Sequence, residues 1–150
     1  MITDPTLIRI GQAVQRNHQG EREAARVQFE EIWDEIGGEQ GDPLHVCTLA
    51  HAMADAQDDV RQELLWDLRA MAAADLLTDA RAAQAGMTLP VDSLYPSLHL
   101  NLSECYRKLG DLDRARQHLL QAEAKIDLLG DDEYGRMIKD GMDRIAGQLR

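Results

Sequence analysis

Aromatic residues are scarce in this 150-residue chain, which holds one Phe, three Tyr and two Trp. A core must therefore be filled by Ala, Leu, Ile, Val and Met, and no run of alternating β-branched residues points to a sheet. Cysteine is limited to Cys47 and Cys105, with no CxxC pair. That excludes a disulfide framework and a thiolate zinc site, and both residues sit on or beside apolar helical positions, as reduced buried thiols do. No stretch approaches the roughly 20 apolar residues of a membrane span, and no N-terminal apolar h-region is found, so neither membrane insertion nor export is expected and the cytoplasm is the expected compartment. Basic residues are few: 16 Lys and Arg stand against 27 Asp and Glu, a net charge of −11. Such a chain is repelled by phosphate backbones, and with no basic cluster to overcome the repulsion, nucleic acid is excluded as a partner.

Catalytic constellations are missing too. His45 and His51 are six residues apart, which does not place them on one helical face, and His18, His99 and His118 belong to no HExxH-like arrangement. There is no glycine-rich phosphate loop, no GxSxG elbow and no Cys–His signature, so no enzyme activity, metal or cofactor is expected. The acidic runs Asp55, Asp58, Asp59 and Asp131, Asp132, Glu133 read either as solvated helix ends or as attractants for a basic partner. Asn101-Leu102-Ser103 matches a glycosylation acceptor formally, but lies within a helical pattern of a chain without an export signal.

What the chain does have is helical periodicity. In LHLNLSECYRKLGDLDRARQHLLQA, Leu98, Leu102, Cys105 and Tyr106 recur at helical spacing before Gly110-Asp111, and Leu112, Ala115, Leu119, Ala122 and Ile126 recur after it. Two one-sided helices joined by so short a corner must fold back on each other, with Ala115 small enough for close approach. Upstream, Leu7, Ile10, Gly11 and Val14 followed by Ala25, Phe29 and Ile32 echo the pattern, as do Val46, Leu49, Ala50 and Met53 followed by Leu64, Leu68 and Met71. Aligning these two units on the third calls for a central turn about two residues longer. Asp4-Pro5, Asp42-Pro43 and Ser93 to Pro96 supply helix starts, and Gly20, Gly37-Gly38, Gly110 and Gly130 supply stops. Asp131 and Asp132 open a last helix with Tyr134, Ile138, Ile145 and Leu149 on one face.

Residues Pro96 to Leu129 resemble a tetratricopeptide repeat at Leu102, Ser103, Tyr106, Gly110, Ala115, Leu119 and Ala122, with His99 where that family prefers tryptophan and Asp127 where it prefers proline. The resemblance implies an all-α fold, a right-handed solenoid of helical hairpins forming one domain over 1–150. Its repeats fall at about 4–38, 42–77 and 96–129, with an insertion at 78–95 and a capping helix at 131–149. Within the insertion, TDARAAQAG suggests a short helix and MTLPVDSLY has no helical period; the segment reads as a mobile spacer or as a ligand-contacting element.

The same resemblance implies a protein- or peptide-binding adaptor whose first helices line a concave wall. Beside their core stripes lie Ile8, Gln12 and Gln15 in the first unit, Cys47, His51 and Asp55 in the second, and Leu100, Asn101, Glu104, Arg107 and Lys108 in the third. Read without the family, Ile8, Cys47 and Leu100 are core edges and the rest a solvated face. Some family members clamp a terminal carboxylate with paired lysines and asparagines. Only Asn101, Arg107 and Lys108 suit that role here, which argues against it. His51 with Asp55 or Glu104 suits a peptide amine or guanidinium. Two other readings stay open. One is a self-associating homodimer, suggested by Met137, Gly141 and Met142 near the stripe of the last helix; the other is a sensor or regulatory part of a bacterial signalling system, since similar repeats are often attached to DNA-binding or kinase domains. Thirteen arginines against three lysines separately suit a high-GC bacterial source.

Overall fold

A computed structural model describes residues 3–149; among them every regular element is a helix. The chain divides into two compact units, Met1–Leu89 and Pro90–Arg150, and the division falls within the 78–95 segment.

In the first unit, α1 (Pro5–His18) and α2 (Arg22–Glu35) form one hairpin, and α3 (Pro43–Asp55) and α4 (Val60–Ala74) a second. Helix α3 packs against both α1 and α2. The starts follow local chemistry. Asp4 caps α1 by accepting from the amides of Thr6 (2.9 Å) and Leu7 (3.1 Å), and Asp42 caps α3 through the amide of Leu44 (2.9 Å), each just before a proline that has no N–H to satisfy. The faces that meet bury Ile10, Ala13, Ala25, Phe29, Ile32, Leu49, Ala52 and Met53, edged by Trp33 and Trp66, whose rings meet edge to face at 4.9 Å. Phe29 is wholly buried here, so truncating it to alanine costs about 3–5 kcal/mol. A short helix, α5 (Asp79–Gln84), follows, as the TDARAAQAG segment suggests.

The second unit opens on a 3-10 turn, Val91–Leu94, followed by α6 (Tyr95–Lys108), α7 (Leu112–Ala124) and α8 (Glu133–Gln148). Helices α6 and α7 pair, and α8 packs on both. Leu100, Leu119, Ile138, Met142, Ile145 and Leu149 form its core, and the buried Ser103 hydroxyl donates to the Ala115 carbonyl at 2.7 Å. Asp132 caps α8 through the Gly135 amide at 2.8 Å.

Four local expectations need correction. Ser93 does not cap α6: its hydroxyl donates to Pro90 O at 2.6 Å, and Leu94 occupies the cap position without a side-chain bond. Gly130 is not a left-handed stop, because α7 ends at Ala124 and a 3-10 turn over Ile126–Leu128 carries the chain away first. The first hairpin turn is no longer than the third: residues 19–21 and 109–111 intervene, with Gly20 and Gly110 both at positive φ. Ala13 with Ser103, Gly20 with Gly110, Ala25 with Ala115 and Phe29 with Leu119 then correspond at one constant offset, whereas the longer turn matched the first helix two residues out of step. Tyr134 leaves the core face of α8 and is exposed at its first turn.

Candidate functional site

A cleft of about 480 Å³ opens between α1 and α3 in the first unit, within the size range of small-ligand and anchor-residue pockets. Ile10, Leu44, Ala52 and Ala85 form buried parts of its wall, and Leu7, Val14 and Met87 are half-buried around them. Its polar groups are His18, Thr48, His51 and Asp55; His18 and Asp55 are exposed, which puts them at the mouth. The Thr48 hydroxyl donates to Leu44 O at 2.8 Å and is thereby committed to the helix. Gly11 also lines the cleft, and a Cβ there would meet nothing within 4 Å.

One wall comes from the segment after α5. Gly86 takes a left-handed φ of 94°, and the Met87 amide closes on Ala82 O at 3.1 Å, which turns the chain back so that Ala85 and Met87 lie on the cleft. Arg81 ties this segment down. Its Nε lies 2.9 Å from Asp42 Oδ2 and its Nη2 3.4 Å from Asp4 Oδ2, while His45 Nε2 lies 2.8 Å from the same Asp4 oxygen. The caps of α1 and α3 thus share one guanidinium. Partial burial works against both carboxylates, but hydrogen bonds from His45 and the Leu7 and Thr6 amides at Asp4, and from Arg81 and the Leu44 amide at Asp42, outweigh it and hold both below the ordinary aspartate range.

The sequence-derived binding residues are placed unevenly. His51 and Asp55 line the cleft one turn apart on α3. Ile8, Gln12 and Gln15 are exposed but absent from its lining; Leu7, Gly11, Val14 and His18 occupy that face, about 100° away around α1, one residue's rotation. Cys47 is buried, and burial, with Asp75 nearby, pushes its thiol up to about 11. In the second unit, Leu100 and Asn101 line a separate hollow with Arg136, Met137, Asp140, Gly141 and Arg144 of α8. Leu100 is buried there against Gly141, where a Cβ would come within 2.9 Å of Leu100 Cδ2. Glu104 accepts from Arg107 at 2.6 and 3.1 Å, so that guanidinium is already paired within its own helix, and the pairing holds the Glu104 carboxyl low; Lys108 is exposed. Of the α8 residues linked to self-association, Met142 is buried and Gly141 abuts Leu100, while Met137 is exposed.

Arg81, His45, Asp4 and Met87 were not singled out for the site from sequence. The Asp-Pro caps were visible, and a capping carboxylate keeps an oxygen free for a cation, but nothing local says that Arg81 supplies it.

No family model, curated protein or solved structure matches the chain. Among the described residues, no helix is long and apolar enough to cross a membrane.

Proposed function

We propose that this chain is a non-catalytic protein- or peptide-binding module of tetratricopeptide-repeat type, a short right-handed solenoid that receives a peptide segment in the cleft between α1 and α3. The observation that carries the reading is the cleft itself: an apolar bed of Leu7, Ile10, Val14, Leu44 and Met87 with His18, His51 and Asp55 at its mouth. An apolar side chain of the partner enters the bed, and a cationic or amide neighbour meets Asp55 and His51. Support for the repeat assignment comes from the two hairpins of the first unit stacking α1 on α3 and from the shared offset of Gly20 and Gly110. The net charge of −11 favours a basic partner over nucleic acid, and two buried cysteines not joined in a disulfide suit a reducing cytoplasm. Short random peptides selected by display on the wild-type chain provide the test: binding falls when the cleft is filled by Gly11→Leu, and survival of binding in that variant overturns the proposal.

A further inference from the structure

Helix α4 carries a second apolar face. Leu65 and Leu68 are each 40% exposed, Ala72 is exposed, and Leu76, just beyond the helix, is 71% exposed. With Arg61 and Asp75, also exposed, the residues Arg61, Leu65, Leu68, Ala72 and Asp75 follow one another in alternate steps of four and three, which aligns them in a single stripe. Beside the stripe lies a hollow of about 420 Å³ lined by Pro43, Val46, Ala72 and Ala73. Arg69, bound to Glu39 at 3.0 Å and stacked 4.4 Å from the Trp66 ring centroid, stiffens its edge.

The stripe complements itself when reversed. Laid antiparallel on a second copy, Arg61 faces Asp75, Leu65 faces Ala72 and the hollow beside it, and Leu68 faces Leu68. That is the self-matching pattern a two-fold interface requires, with a large side chain over a small one and opposite charges at both ends. The charge match matters in a chain of net charge −11, for which nonspecific self-contact is repulsive. We infer that this face of α4 docks on a second copy of the same chain, with Leu68 on the two-fold axis. The surface is distinct from the α1/α3 cleft, so this inference does not depend on the binding proposal.

Sedimentation equilibrium of the full chain over a concentration series tests it. The wild type runs as a dimer, and Leu68→Glu runs as a monomer with an unchanged circular dichroism spectrum. Arg61→Asp and Asp75→Arg each raise the dimer Kd about tenfold, since each sets like charges opposite one another at two places, and the double reversal restores it. On mild oxidation Leu68→Cys crosslinks to itself, whereas Gln15→Cys, exposed on α1, does not. A wild type that remains monomeric up to about 1 mM, or a dimer indifferent to Leu68→Glu and not rescued by the double reversal, overturns the inference.

Discussion

The guanidinium of Arg81 lies 2.9 Å from the carboxylate of Asp42 and reaches Asp4 at 3.4 Å, so a short helix outside the hairpins is anchored to the N-termini of both helices that border the cleft. All three side chains are largely shielded, which makes the cluster stronger than an exposed ion pair. Arg81→Ala is expected to lower stability by about 1–2 kcal/mol in urea denaturation and to speed amide exchange selectively over residues 79–87. Unchanged exchange there would show that the tether does not hold the wall.

The same cluster sets a response to acid. Asp4 and Asp42 have folded-state pKa values below the ordinary aspartate value of 3.8. A depressed carboxylate contributes stability that is present above its unfolded pKa and lost as pH falls through the folded one. Urea midpoints are therefore expected to hold from neutral pH down to about pH 4 on account of these two groups and to fall below it, with a shallower fall in Asp42→Asn. An identical slope in wild type and variant would remove Arg81–Asp42 from the explanation.

A second titration belongs to the other unit. His99 and His118 meet Nδ1 to Nδ1 at 2.9 Å, which requires one ring to donate and the other to accept; Tyr95 packs at a tilt against His99 and Tyr106 stacks on His118. Lys125 from beyond α7 lies over the Tyr95 ring and Arg114 of α7 over the Tyr106 ring, so cations flank the column at both ends. Burial pushes His118 below the usual histidine value of 6.5. Here the charged form is the one disfavoured by folding. Stability is full above the unfolded pKa and is lost as pH drops through the folded value. Thermal midpoints should begin to fall as pH drops below about 6.5 in the wild type, before the aspartates titrate, and stay level there in His118→Gln. A drop that persists in the variant would assign it to other groups.

How far the sequence reached depends on the range of the interaction concerned. Asp4-Pro5, Asp42-Pro43, Gly20 and Gly110 are legible because capping and left-handed turns are decided within a few residues. The all-helical character follows from periodicity, and Phe29, Ala25 and Leu119 fall in the core as their spacing requires. On α1 the cleft lies one residue's rotation from Ile8, Gln12 and Gln15, because Gly11 and Val14 read as template core positions while Ile8, Gln12 and Gln15 read as the neighbouring face. In the structure Ile10 and Ala13 take the buried centre and Leu7, Gly11 and Val14 turn to the cleft. Arg81 was illegible for another reason: its partners lie 39 and 77 residues away, and no local pattern marks a residue for so distant a role.

The most direct measurement is a ¹H–¹⁵N titration of the labelled chain with display-selected peptides, run in parallel on wild type and Gly11→Leu. Replacing glycine in mid-helix stabilises α1 by about 0.5–1 kcal/mol, and a Cβ at Gly11 meets nothing within 4 Å; an unchanged circular dichroism spectrum of the variant separates lost binding from lost folding. Wild-type shifts are expected to cluster at Val14, Thr48, His51 and Ala52 and to disappear in Gly11→Leu. Shifts centred on the hollow between α6 and α8, or equal affinity in the two proteins, would contradict it.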